Sequence, residues 1–223
     1  MYQDILTIAV VTVFAFFAIY WMWFQGEVDG SRLIAKNSMK QQKFNIILVL
    51  IAAFIVKAIL AVKNEGYSVD ITCFRSWSET VFTGGLSHFY EGDVTDYPPG
   101  YMLVLWLVAA IRHLFNIDNY STTGLFMIKL FPMLFDLAAA YLIYVMAKKR
   151  FSEGMSLMLS TLYALNPAVV IDSSVWGQVD GVLCCMVLLT CYLFMEEKRI
   201  LAYFAFCAGV LLKPQMVMFA PII

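Results

Sequence analysis

The chain has 223 residues, 62% of them hydrophobic and only 14% charged, and a formal net charge of −1 at pH 7. With a mean hydropathy of +0.78, this composition excludes an ordinary soluble domain, and the near-neutral charge excludes a basic surface for nucleic acid. The expected class is an all-α polytopic membrane protein resident in a lipid bilayer.

Apolar windows long enough to cross a hydrocarbon layer of about 30 Å fall at about 4–24, 44–63, 125–146, 155–171, 181–195 and 200–220, which predicts about six transmembrane helices. The first lacks a basic start and a small-residue cleavage site, and it closes on Tyr20, Trp21, Met22, Trp23 and Phe24, so it reads as a retained span rather than a removable signal. Residues 1–43 are expected to be an additional N-terminal transmembrane helix with a cytoplasmic loop, and residues 44–223 the main module.

Lysine and arginine gather in three connections: Arg32, Lys36, Lys40 and Lys43; Lys148, Lys149 and Arg150; and Lys198 and Arg199. Short basic connections mark the cytoplasmic side. All three lie inside only if residues 101–116 do not cross. That segment is short for a span and interrupted by Arg112 and His113, which suits an interfacial or re-entrant helix. Residues 64–122 then form one long outer loop holding Glu65, Asp70, Glu79, Glu91, Asp93, Asp96 and Asp118.

Within that loop, Ile71, Phe74, Trp77 and Val81 recur at spacings of three to four, which predicts an amphipathic helix with Arg75 and Glu79 as an i,i+4 pair on its polar side and Gly84-Gly85 as its end. Asp96-Tyr97-Pro98-Pro99-Gly100 reads as an extended or turning segment, because each proline disfavours the α conformation in the residue before it. The other polar island, Trp176-Gly177-Gln178-Val179-Asp180, falls between two apolar runs on the same expected side, and the two islands are expected to meet.

Several residues suit chemistry, each beside a plainer reading. Asp70, just past an outward span, suits a general base acting on a hydroxyl, or a helix N-cap. Asp96 and Tyr97 suit a polar ligand, or an Asx-type turn ahead of the prolines. Trp176, Gln178 and Asp180 offer a stacking ring, an amide and a carboxylate, the set that sugars favour; an interface tryptophan and a capping aspartate read the same way. Lys213 lies in an apolar run and either faces an anion or snorkels, and Lys129 either meets a lipid phosphate or snorkels. Asp136 is read as structural. Cys73, Cys184, Cys185, Cys191 and Cys207 show neither a disulfide framework nor metal-ligand spacing.

Taken in order, Asp70, Asp96-Tyr97-Pro98-Pro99-Gly100, Lys129 with Pro132, Asn166-Pro167 before Trp176-Gly177-Gln178-Val179-Asp180, and Lys213-Pro214-Gln215 resemble the GT-C glycosyltransferases over residues 44–223. The likeness is to the bacterial branch similar to protein mannosyltransferases and dolichyl-phosphate glucosyltransferases. It implies transfer of a hexose from a polyprenyl-phosphate-linked sugar to a hydroxyl of a glycan, lipid or protein, with inversion, on the extracytoplasmic face of the plasma membrane. It assigns the base role to Asp70, sugar binding to Asp96, Tyr97, Trp176, Gln178, Asp180 and Gln215, and the lipid phosphate to Lys129 and Lys213, with no metal or other cofactor. Family members continue through further spans, so the chain is expected to be an N-terminal module or to be completed by a partner chain. A transporter or flippase-like module, with Lys129, Asp136 and Lys213 on one intramembrane charge path, is the alternative, and a non-catalytic assembly subunit is a third.

Overall fold

The computed structural model describes residues 39–92, 95 and 97–222. The window at 4–24, the connection holding Arg32 and Lys36, and the residues Asp93 and Asp96 lie outside the described residues. Regular structure among the described residues is entirely helical: α1 (Met39–Lys63), α2 (Ser68–Gly92), α3 (Pro99–Leu114), α4 (Thr122–Ala147), α5 (Glu153–Ala164), α6 (Pro167–Val170), a π-helical turn (Ile171–Trp176), α7 (Asp180–Met195), α8 (Arg199–Leu212) and a 3-10 helix (Pro214–Ile222).

The protein is an integral membrane protein. Residues Lys43–Lys63 of α1 and the whole of α4 are long and apolar enough to cross a membrane, and α5 with the segment Pro167–Trp176 is a bent pair at 46°, apolar enough for a broken span or a re-entrant loop. Helices α7 and α8 are apolar but shorter, at 16 and 14 residues, or roughly 24 and 21 Å at 1.5 Å per residue.

Two predicted windows are split at proline. The window at 155–171 breaks where Leu165 caps α5 and Asn166 starts α6, its side chain accepting from the Ala168 N–H at 2.9 Å. The window at 200–220 breaks at Lys213, which is extended (φ −148°, ψ 118°) ahead of Pro214. Both breaks have one cause: proline donates no hydrogen bond and pushes its predecessor out of the α region.

Helices α1 and α4 run antiparallel. The start of α1 (Ile46) packs with Tyr144 and Leu157 near the end of α4 and in α5. The end of α1 meets the first half of α4 through Lys129. Two of the basic connections share one end of the bundle, where the Lys149 ammonium pairs with the Glu196 carboxylate. The Asp70 and Trp176 segments lie at the other end.

Helix α2 carries the predicted apolar face. Ile71, Phe74 and Val81 are buried in the main core with Tyr101, Met102 and Leu105 of α3, Leu125 and Ile128 of α4, and residues of α7 and α8, while Trp77 packs at its edge. The helix does not stop at Gly84-Gly85: it kinks at Gly85 (φ 75°, ψ 173°) and resumes to Gly92.

The polar face differs from expectation. Glu79 does not pair with Arg75. It pairs with Arg112 of α3, which is buried, and at 2.9 Å with His113, whose ring stacks on Phe82 with centroids 4.5 Å apart. Arg75 instead sits over the Tyr120 ring, 5.2 Å from its centroid. The fold supplies Glu79 with a buried guanidinium that a helix-surface pair cannot match, since exposed ion pairs contribute little.

Burial pushes the Glu79 carboxyl up, but hydrogen bonds from His113 and Arg112 and their charge outweigh it and hold the group below its ordinary value of 4.5. A depressed carboxyl stabilises the fold above its unfolded value and loses that contribution as pH falls through the folded one. Limited proteolysis at the α2–α3 junction should therefore increase as pH falls below about 4.5 and converge on the level of Glu79→Gln, which lacks this titration and is the more sensitive of the two at neutral pH; identical pH profiles for the two proteins would refute the assignment.

Candidate functional site

Three segments from different parts of the sequence meet at one end of the bundle. The end of α1 leads through Asn64 to Gly66 and Tyr67 and into the first turn of α2, where Asp70 lies. Asp70 is thus inside the helix, in its first turn, and not its cap.

The π-helical turn ends at Trp176, and Gly177 follows with φ 89° and ψ 22°. The backbone carbonyl of Asp172 accepts from both the Gly177 and Gln178 N–H groups at 2.9 Å, closing the turn. The left-handed backbone there favours glycine, and a Cβ at 177 would lie 2.8 Å from Ile71 Cδ1, which would have to shift. Across the seam, the Tyr67 N–H donates to the Trp176 carbonyl at 2.9 Å, and the two rings stand 4.9 Å apart.

These turns bring four predicted residues into one hydrogen-bonded chain. Trp176 Nε1 donates to Asp70 Oδ2 at 2.8 Å and Gln178 Nε2 to the same oxygen at 3.2 Å. Gln178 Oε1 accepts from the Tyr97 hydroxyl at 3.0 Å and from the Val179 N–H at 2.8 Å. An amide is needed at 178 because it must donate on one side and accept on the other, which neither a carboxylate nor an ammonium does. Asp70, Tyr97 and Gln178 are half-buried and Trp176 is exposed, so the chain opens at a surface.

The Lys213 ammonium reaches Asp180 at the start of α7, two residues beyond Gln178. Lys213 is buried and the Asp180 side chain is 56% exposed, so the charge pair lies across the border of the packed interior. Gln215 is exposed in the 3-10 helix and takes no part in these hydrogen bonds, and Asp96 lies outside the described residues.

Lys129 does not reach the Asp70 cluster with its charge. Its fully buried ammonium is bound to the carbonyl oxygens of Asn64 (2.7 Å), Ser174 (3.0 Å), Val175 (3.3 Å) and Ala61 (3.4 Å).

Lys57 is the residue that the sequence reading passed over. Buried in α1, it donates to Asp136 Oδ2 at 2.8 Å, to Ser173 Oγ at 3.1 Å and to the Val169 carbonyl at 3.2 Å. A lysine inside a spanning window was the available signal, since an intramembrane charge calls for a partner. Among the described residues, the Lys129 ammonium thus binds backbone carbonyls, Asp136 pairs with Lys57 and Lys213 pairs with Asp180.

Residues 96–223, more than half of the chain, match the family described as dolichyl-phosphate-mannose-protein mannosyltransferase. The chain belongs to that family. Among curated proteins it is similar to GPI mannosyltransferase 1 of Saccharomyces cerevisiae, at 27% identity over 128 residues covering 55% of this chain and 29% of the yeast protein. The chain therefore spans under a third of that relative's length. No solved structure matches it. The segment matched to the mannosyltransferase family includes Tyr97, Lys129, Trp176, Gln178, Asp180, Lys213 and Gln215, while Asp70 precedes it.

Proposed function

We propose that this member of the mannosyltransferase family transfers mannose from a polyprenyl-phosphate-linked donor to a hydroxyl of a glycan, lipid or protein acceptor, with inversion, on the extracytoplasmic face of the membrane. The observation that carries the reading is the convergence of Trp176 and Gln178 on Asp70 Oδ2. Both hydrogen bonds land on one oxygen, and Oδ1 has no side-chain partner among the described residues. A carboxylate held in this way is oriented to accept a proton through its other oxygen.

In this mechanism the acceptor oxygen attacks the anomeric carbon while its proton passes to Asp70. The bond from that carbon to the phosphate oxygen breaks, and its electrons leave with the lipid phosphate. Trp176 supplies an exposed ring for the sugar face, and Tyr97, Gln178 and Asp180 supply partners for its hydroxyls, with Asp96 and Gln215 as further sugar-binding residues. Lys213, beside Asp180, neutralises the charge that grows on the departing phosphate, a contribution larger in the transition state than in the ground state. Residues 44–223 act as one module with 64–122 as its outer loop, preceded by the additional span.

The test is incubation of the protein in lipid vesicles with radiolabelled polyprenyl-phosphate mannose and a membrane acceptor fraction. Label is expected to move from donor to acceptor. Folded protein that leaves all label in the donor would remove the proposed activity.

A further inference from the structure

Two helix ends converge beside the Asp70 cluster. The last turn of α1 and the residues just after it present the Ala61 and Asn64 carbonyls, and the last turn of the π-helix presents those of Ser174 and Val175. The last carbonyls of a helix have no partner within it, and its C-terminus carries partial negative charge. In a membrane such groups must be satisfied inside the protein. No carboxylate pairs with Lys129 among the described residues, and its ammonium lies among these four oxygens from both helix ends.

We propose that Lys129 is a positioning residue: from α4 it clamps the segment that delivers Asp70 to the segment that delivers Trp176 and Gln178. The inference rests on the transferase reading for its catalytic consequence, though the clamp itself does not. The geometry carries it in two ways. The ammonium binds both segments at the positions just before they turn into the site, at Asn64 on one side and Val175 on the other. The stem of the same side chain also packs under the turn, where a Cβ at Gly177 would lie 3.3 Å from Lys129 Cε. On the far side, a Cβ at Gly66 would lie 2.7 Å from the Trp176 carbonyl. The seam is closed from two directions, and Lys129 provides the only cation bound to both helix ends among the described residues.

A burial so complete gives Lys129 a role distinct from a phosphate ligand. A residue that holds the donor phosphate raises KM for the donor when its charge is lost. One that holds Asp70 against Trp176 lowers kcat and leaves donor binding largely alone.

The seam is read without turnover in a chain whose five native cysteines are replaced by alanine, by placing cysteines at Tyr67 and Trp176, inserting a protease site after Arg150, and measuring the fraction of chain that stays joined after oxidation and cleavage. Cross-linking is expected to be efficient with Lys129 and with Lys129→Arg, which keeps the charge and donors. It is expected to fall at least about fivefold in Lys129→Met, and by an intermediate amount in Lys129→Gln, whose amide keeps two donors. Parental cross-linking in both Lys129→Met and Lys129→Gln overturns the clamp, whether or not the protein transfers sugar. In the otherwise unaltered protein, Lys129→Met is expected to lower kcat at least tenfold, with KM for polyprenyl-phosphate mannose within about threefold and partial rescue by Lys129→Arg. A rise in KM at unchanged kcat would return Lys129 to the phosphate and overturn its role in positioning Asp70.

Discussion

Asp70→Asn should abolish mannose transfer while leaving accumulation and membrane insertion at parental levels. The substitution keeps the shape of the side chain, so the first turn of α2 and the burial of Ile71 and Phe74 behind it are undisturbed. What changes is chemistry at two oxygens. An amide cannot take a proton from the acceptor hydroxyl, and removal of a positioned general base costs about 10²- to 10⁴-fold in rate. The amide also fits its neighbours badly: Trp176 Nε1 and Gln178 Nε2 both donate to Oδ2. Asparagine can offer them its carbonyl oxygen only by turning its own NH2 toward the acceptor position. Donor KM should therefore change far less than kcat. Measured transfer within tenfold of the parent would take Asp70 out of the mechanism and leave the remaining residues as a binding site.

The largest expected effect on stability is at Lys57 and Asp136. Their side chains are 0% and 1% exposed and 2.8 Å apart, and Lys57 also binds Ser173 and the Val169 carbonyl, so one ammonium ties α1 to α4, α6 and the π-helical turn. Relative to apolar residues of similar size the pair adds little stability, because desolvating two charges offsets most of their attraction. Breaking it is a different matter. Lys57→Met leaves the Asp136 carboxylate buried without its cation, and its other oxygen, Oδ1, already lacks a hydrogen-bond partner. The cost of such a loss is about 3–5 kcal/mol.

The double variant Lys57→Met, Asp136→Leu removes both charges and should regain most of that loss. Thermal unfolding in detergent of the parent, the two single variants and the double variant measures this directly. Single variants as stable as the parent, or a double variant showing the simple sum of the two losses, would mean that the pair is not coupled.

Much of this arrangement is legible in the amino-acid sequence where the governing property is local. The spacing of Ile71, Phe74 and Val81 marks the buried face of α2, because side chains three and four apart share one side of a helix. The polar islands at 96–100 and 176–180 stand out because an apolar chain has little reason to carry them in a mere connection. The extra length of α2 beyond Gly85 is not legible in the same way: a glycine pair reads as a stop, yet a single residue with φ 75° permits a kink and a second helical stretch.

The partners of charged residues are the part that sequence reading misses. Glu79 has Arg75 at the favourable helical spacing and still goes to Arg112 and His113, because α3 brings a buried guanidinium against it. Lys57 and Lys129 are both lysines in apolar runs, and by local pattern alone both could snorkel. One meets a carboxylate and the other a set of carbonyls. Taken alone, then, the amino-acid order determined membrane residence, the all-helical build and the identity of the polar islands, since hydropathy acts over a few residues, whereas the breaks before Pro167 and Pro214 interrupt windows that hydropathy reads as continuous. Only the tertiary structure decided which side chain faces which, because an ion pair or a hydrogen bond depends on the crossing of helices distant in the chain, and no local property encodes that meeting.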